Sequence, residues 1–267
     1  MSDAVYREIV SGWKSDFKDR FGADKLDYRR STGSTNDDLL ERLRKREAGH
    51  LDLIVTESQS SGRGRRGDRW EGGDGRNLLF SLALRLEEDR KVWSRLPHVA
   101  AFVVGTAVES ILPPGAAVEA KWPNDLLVGS RKLAGILVET TLLAGAFAVV
   151  GVGLNVNMRA SEWPAPLRPF TTSLYEVLGC ESSRWFLLGL IMEGFLEHYP
   201  DKTANFAPVL DWISERDFLK GKDLKVTSGN LEISGRSRGL GKDGELLLEE
   251  EGGTIRPVIS AEKIAVC

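Results

Sequence analysis

Cysteine and histidine are scarce in this chain, at two and three of 267 residues. Cys180 and Cys267 are too few for a disulfide scaffold and too isolated for a zinc cluster, and both fit a reducing, cytoplasmic setting. His50, His98 and His198 stand at no spacing used by a metalloprotease or a Ser–His–Asp hydrolase, and neither HExxH nor GxSxG occurs. Packing or surface roles are expected for all three. The GxxxxGKS/T loop is missing too, so any nucleotide is held without it. Neither sign of charge dominates: 36 Lys+Arg against 39 Asp+Glu leave −3, whereas a protein that coats nucleic acid needs a large positive surplus. No apolar run reaches the ~18–20 residues of a membrane span, and the N-terminal MSDAVYREIVSGWKSDF lacks the apolar core of a secretory leader. The expectation is a soluble cytoplasmic protein with neither DNA nor a membrane as partner.

What is present is ordinary globular material, 42% hydrophobic and 28% charged, enough for one large domain or one with a small satellite at ~100–200 residues per domain. Over residues 1–26, Val5, Ile9, Trp13 and Phe17 recur every fourth position, which predicts a helical extension able to dock on a larger body. Ser34 or Thr35 can cap a helix, with Asp37 or Asp38 in its first turn and Leu39, Leu40 and Leu43 on its apolar face; Gly49 is expected to close it. Residues 51–58, 77–86, 117–122, 125–128, 132–142 and 147–157 read as strands. Residues 97–112, 185–199 and 203–219 read as helices, the first opened by Pro97 and stopped by Pro113 and Pro114. The fold class is therefore α/β (α+β), a mixed sheet with helices packed on one face. From Lys222 short strands broken by Gly and Asp suggest a small β-barrel or sandwich. The domain boundary is placed near 220, giving 1–220 and 221–267.

Three segments carry candidate chemistry. Residues 60–76, SSGRGRRGDRWEGGDGR, are nearly devoid of apolar side chains and must form a surface loop. Gly62, Gly64 and Gly67 allow backbone N–H groups to turn inward as an anion cradle, and Arg63, Arg65, Arg66 and Arg69 surround it with donors suited to phosphate or carboxylate. A flexible charged loop, or an RNA-binding Arg–Gly stretch, are the competing readings; Glu71 and Asp74 weaken the second. In Lys121-Trp-Pro-Asn-Asp125 the polar Lys121, Asn124 and Asp125 fall at a strand end, where ligand contacts gather, against the plainer reading of a surface lysine on an edge strand. In Gly151-Val-Gly-Leu-Asn-Val-Asn157 the third glycine of a dinucleotide fingerprint is replaced by Val156 and no amphipathic helix follows, which excludes that fingerprint. Glycines within a strand allow a close approach, and Asn155 and Asn157 would share one face. A tight strand-to-loop bend explains them equally well.

Jointly, Ser34-Thr-Asn36, Gln59 to Trp70, Lys121 to Asp125, Arg131-Lys-Leu-Ala-Gly-Ile-Leu-Val-Glu139 and Gly151 to Asn155 resemble, in that order, the biotin–protein ligases (biotin–[acetyl-CoA-carboxylase] ligases), over roughly residues 30–267. The resemblance implies an α/β catalytic domain (1–220) followed by an SH3-like barrel (221–267). It implies ATP-dependent formation of biotinyl-5′-AMP and transfer of biotin to a lysine of a biotin carboxyl carrier protein. Biotin contacts fall by resemblance on Ser34, Thr35, Asn36, Gln59, Arg63, Gly64, Arg65, Lys121, Gly135, Ile136 and Leu137. Nucleotide contacts fall on Arg63, Arg65, Arg66, Trp70, Asn124, Lys132 and Asn155, with Lys121 and Arg65 as the catalytic pair. ATP and biotin are the implied substrates, with Mg²⁺ as cofactor; its ligands and the assembly state, a homodimer being one option, stay open. Asp68 stands where many relatives carry a basic residue, which lowers the loop's charge. Residues 239–244 follow the family's turn only loosely, so no site residue is carried over from there. Bifunctional relatives carry a winged helix-turn-helix of about 60 residues, more than the stretch before Ser31, so a ligase without repressor activity is expected. The competing functions are a lipoate–protein ligase or octanoyltransferase and, from another class, a nucleic-acid-binding module.

Overall fold

The computed structural model describes residues 26–143, 145–229 and 231–267; the helical extension expected before Leu26 lies outside the described residues. The chain opens with β1 (Leu26–Thr32), α1 (Thr35–Arg44) and β2 (Leu53–Gln59). β1 and β2 are parallel, with Leu26 opposite Leu53, and parallel neighbours require a crossover; α1 is that crossover, laid across one face of the sheet. Its start is as expected: Ser34 is the N-cap and its side chain accepts from the Asp37 N–H. Its end comes earlier than Gly49, at Lys45.

β3 (Leu78–Arg85), β4 (Val118–Lys121), β5 (Asp125–Val128), β6 (Arg131–Thr141) and β7 (Phe147–Leu154) complete a seven-stranded mixed sheet in the order β1-β2-β3-β7-β6-β5-β4. β7 is central and every one of its residues is buried, which is why FAVVGVGL reads as an unbroken apolar run rather than an alternation. The period of two along β3 separates the faces. Leu78, Phe80, Leu82 and Leu84 join the main core with helices α2 (Leu96–Glu109), α4 (Arg184–His198) and α6 (Ala207–Arg216), while Ala83 meets Leu39, Leu40 and Leu43 of α1. Helices thus lie on both faces, not one as expected. The smaller layer is α1 alone, whose three leucines each contribute ~1.5–3 kcal/mol by burial.

α3 (Leu174–Leu178) and α5 (Asp201–Ala204) are short. The single helix expected over 203–219 is two, because Pro208 belongs in the first turn of a helix and α6 starts there afresh. β8 (Asp223–Ser228), β9 (Leu231–Leu240), β10 (Leu246–Glu249), β11 (Ile255–Val258) and β12 (Lys263–Val266) form an antiparallel sheet in the order β11-β10-β9-β8-β12, the SH3-like part of the fold, with its own core of Leu219, Leu224, Val226, Leu246, Leu248, Val258 and Ala261. Trp122 belongs to that second core although it sits in the β4–β5 turn.

Candidate active site

A cavity of about 230 Å³ opens on the α1 side of the large sheet. Its floor is made by the absence of side chains. Gly135 on β6 pairs with Gly153 on β7, and Gly151 pairs with Leu137, so three glycines on neighbouring strands face the same way. A Cβ on Gly151 would collide with the Asn36 amide, and one on Gly153 with the Trp70 indole; one on Gly135 would come within 2.8 Å of that ring. The close approach that the Gly151–Asn155 segment suggested therefore occurs, and it is the chain's own Asn36 and Trp70 that make it.

Ser34, Thr35 and Asn36, all nearly fully buried, bring the N-terminus of α1 to one wall. The Thr35 N–H donates to Gln59 Oε1 at 2.8 Å. Asn36 Nδ2 donates to Glu139 at 2.8 Å, and the Ser81 hydroxyl lies 2.6 Å from Asn36 Oδ1. Residues 62–70 form a small hairpin above the floor: Trp70 N–H donates to Gly62 O, and Gly64 N–H to Asp68 O. The tip, Arg65–Gly67, is one turn of 3₁₀ helix with Gly67 at φ +84°, a conformation glycine adopts without strain. Arg63 is held by Asp37 (2.5 Å) and Glu139 (2.9 Å). Burial opposes its charge, but these carboxylates more than compensate and raise its pKa.

The opposite wall is the β4–β5 turn and the start of β6. Lys132 Nζ pairs with Asp125 at 2.7 Å and lies 5.3 Å from the centre of the Trp70 ring, directly beside Gly135. Lys121 Nζ is 5.8 Å from the Phe218 ring, and among the described residues it has no carboxylate partner. Asn124 braces the turn by donating to Ile136 O at 2.8 Å. Ile264 of β12 and, just before that strand, Ala261 and Glu262 close the rim.

Of the residues named from the sequence, Ser34, Thr35, Asn36, Gln59, Arg63, Gly64, Arg65, Trp70, Lys121, Asn124, Lys132, Gly135, Ile136 and Leu137 all line this cavity. The side chain of Arg66 lies outside the described residues. Asn155 does not line this cavity: β7 ends at Leu154, and the Asn155 amide is buried, donating to Thr172 O at 3.0 Å and Lys132 O at 3.4 Å. It braces the backbone of Lys132. Asn157 likewise donates to Ser182 O. Sequence reasoning missed Asp37, Ser81 and Glu139. Ser81 had a signal, as the lone hydroxyl in the apolar run of β3.

His98, expected to pack, does so at a telling place. It is buried, with Nε2 3.0 Å from Gly244 O, the same carbonyl that accepts the Trp122 indole N–H at 2.9 Å. Gly244 is thus the pin by which the β9–β10 turn holds the segment carrying Lys121. Burial, opposed by the Gly244 bond and aided by the Arg65 charge, lowers the His98 pKa from 6.5 to about 4. The unfolded chain binds a proton that the folded one refuses, so the contribution to stability is complete above pH 6.5 and is lost as the pH falls towards 4. At most about 3 kcal/mol is at stake. Urea midpoints are expected to drop through that window in the wild type and to drop less in His98→Gln; parallel curves would contradict the assignment.

Comparison with known proteins gives two family matches: "Biotin/lipoate A/B protein ligase family" over residues 28–157 and "Biotin protein ligase C terminal domain" over residues 221–262. The chain is 35% identical to the bifunctional ligase/repressor BirA of Escherichia coli, over 86% of this chain and 70% of that protein. It is 30% identical to the biotin–[acetyl-CoA-carboxylase] ligase of Mycobacterium tuberculosis, over 94% and 88%. The structure of the Aquifex aeolicus biotin protein ligase in complex with biotin and ATP superposes with a TM-score of 0.77 at 27% identity, covering 91% of this chain and 99% of that one.

Proposed function

The chain belongs to the biotin protein ligase family, and on that footing we propose which of its residues carry the reaction. The protein activates biotin with ATP to biotinyl-5′-AMP and transfers biotin to a carrier protein. The observation that carries the reading of the site is the convergence of Lys121, Lys132 and Arg65, from three separate segments, on one cavity beside the N-terminus of α1.

The first step brings two anions together. A biotin carboxylate oxygen attacks the α-phosphorus of ATP, the O–P bond forms, the bond to the β-phosphate oxygen breaks, and pyrophosphate leaves. Fixed cations in a site with little water lower the barrier, because they are already oriented where charge develops. Lys132, beside Gly135 and over Trp70, is the cation on the floor where the acid group meets the α-phosphate. Lys121 supplies a second charge from the wall, and Arg65 at the hairpin tip covers the phosphate side. Ser34, Thr35, Asn36 and Gln59 form the wall for the biotin ring, with Gly64, Ile136 and Leu137; Trp70 and Asn124 face the nucleotide. In the second step the amine of a carrier lysine attacks the carbonyl carbon, the C–N bond forms, AMP departs, and the amine loses its proton. Biotinyl-5′-AMP is a mixed anhydride open to hydrolysis, and the 62–70 hairpin is placed to cover it.

Mg²⁺ belongs to the proposal as the counter-ion of the nucleotide. Among the described residues there is no cluster of three or more His, Cys, Asp or Glu side chains that could hold a metal; Mg²⁺ would be carried by the nucleotide phosphates, whose oxygens are its usual ligands. The carrier is proposed to be a biotin carboxyl carrier protein, and residues 1–220 and 221–267 to be the catalytic and SH3-like domains. No helix among the described residues is long and apolar enough to cross a membrane; a cytoplasmic location is part of the reading. Sedimentation reads whether the chain assembles as a homodimer.

The match to the biotin ligase C-terminal domain favours biotin over lipoate as the acid. The test is a mass-shift assay on a carrier fragment with ATP and either acid. Addition of the biotinyl group, and none of the lipoyl group, is expected; the reverse would overturn the substrate assignment.

A further inference from the structure

Among the described residues, Glu139 is the carboxylate that bonds both to Asn36 in the wall of the cavity and to Arg63 in the hairpin above it. Its Oε2 accepts from Asn36 Nδ2 at 2.8 Å and from Arg63 Nη2 at 2.9 Å, and its Oε1 lies 3.2 Å from the same guanidinium nitrogen. We propose that Glu139 is a positioning residue for the ligase reaction: it fixes the orientation of the Asn36 amide and anchors the first arm of the 62–70 hairpin through Arg63. The proposal rests on the ligase reading given above and goes beyond the residues assigned there.

At Asn36 the orientation follows from the donors and acceptors around the amide. An ionised carboxylate only accepts, so it draws the NH₂ end of the amide to itself and leaves Oδ1 for Ser81. The Ser81 hydroxyl lies 2.6 Å from both Asn36 Oδ1 and Thr35 Oγ1. Its single proton goes to Asn36 Oδ1, which cannot donate, so Thr35 supplies the proton of the other 2.6 Å pair, and Gln59 Oε1, 3.2 Å from the Thr35 hydroxyl, is left to the Thr35 N–H at 2.8 Å. One negative charge on β6 thus sets the direction of a row of hydrogen bonds that ends at the α1 wall. The row exists because Gly151 leaves room for the Asn36 side chain.

At Arg63 the constraint is electrostatic. Two carboxylates, Asp37 and Glu139, meet one guanidinium, and turning Arg63 towards a bound phosphate would leave them facing each other without a counter-charge. Arg63 therefore serves as an anchor, and the hairpin's ligand-facing cations are those further along. Arg63 is paired by a bridge with Arg69 on the returning arm, one residue before Trp70 on the glycine floor. Holding the first arm holds the second.

These two contacts predict two separable readouts. Biotin affinity without ATP reports the Asn36 side, and the rate at which bound biotinyl-5′-AMP escapes reports the hairpin. In Glu139→Gln the side-chain oxygen still accepts from Asn36 but the charge facing Arg63 is gone. Escape is expected to accelerate about 10-fold, as for loss of a charge-assisted hydrogen bond, with biotin affinity changed only about 2-fold. Glu139→Leu removes the acceptor as well and is expected to weaken biotin binding about 10-fold in addition. Arg63→Ala should accelerate escape as Glu139→Gln does, and the double variant no further, because the two residues act through one contact. A purely structural role would weaken biotin affinity, accelerate escape and lower the thermal midpoint together, in all variants. Unchanged escape in Glu139→Gln, or single effects that multiply in the double variant, overturns the proposal. Wild-type enzyme that forms no biotinyl-5′-AMP overturns the ligase reading itself, and the two failures are told apart by that first measurement.

Discussion

Replacing Lys132 with alanine is expected to slow biotinyl-5′-AMP formation by on the order of 10²–10³-fold, the scale seen when a preorganised donor to a developing anion is removed. Biotin affinity without ATP should change far less, because the ammonium acts most strongly once two anions must be joined. Lys132 is held from three sides. Asp125 pairs with it, the Trp70 ring lies beneath it, and Asn155 braces its carbonyl. An amine so constrained has little reorganisation left to undergo when charge moves onto the α-phosphate. Lys121→Ala should cost on the order of 10²-fold, acting from the wall. Pre-steady-state pyrophosphate release measures both. If Lys121→Ala proved the more damaging variant, the floor and wall roles would have to be exchanged; near-normal rates in both would remove the lysines from the chemistry.

The second large effect is expected from a change that adds a single carbon. In Gly153→Ala the new methyl would fall inside the Trp70 indole, and Trp70 would have to leave the floor, carrying the returning arm of the hairpin with it. Displacements of about 1 Å near reacting groups cost as much as 10²-fold, so kcat/KM for adenylate formation should fall on the order of 10²-fold. The sheet itself should persist, at an overpacking cost of about 1–3 kcal/mol, because the clash is with a hairpin side chain and not with a neighbouring strand. Far-UV circular dichroism checks the second point and steady-state kinetics the first. Wild-type kcat/KM in this variant would mean that the glycines of β6 and β7 serve strand packing alone.

Much of this site was legible in the sequence because its parts are local. A capped helix start, a Gly–Arg loop, a Lys-Trp-Pro turn and a glycine-bearing strand each declare their backbone preference within a few residues. The misses share a cause, namely that the information lies in pairings between distant segments. β1 was not foreseen: as an edge strand it is half-exposed, and its Arg29 looks like surface until Asp27 and Asp38 are seen to neutralise it. The side of the sheet that α1 covers follows from the parallel β1–β2 pairing, so missing β1 meant placing all helices on one face. Asn155 falls on the nucleotide side by resemblance alone; that its amide closes the contact between Lys132 and Thr172 could not be read from the sequence, because both partners are set by the fold. Glu139 closed a recognised motif yet drew no role, since its partners lie more than 70 residues away in sequence. The rim residues Ala261, Glu262 and Ile264 come from β12 and the segment before it, and they reach the cavity because Trp122, His98 and Arg95 dock onto the C-terminal part of the fold.

The decisive experiment is a crystal structure of this chain with biotin and a non-hydrolysable ATP analogue. The biotin carboxylate is expected over the Gly135–Gly153 floor, within hydrogen-bond reach of Lys132 Nζ at about 3 Å, with the α-phosphate beside it and Lys121 and Arg65 directed at the phosphates. Biotin bound elsewhere, or an acid group that meets neither lysine, would contradict it.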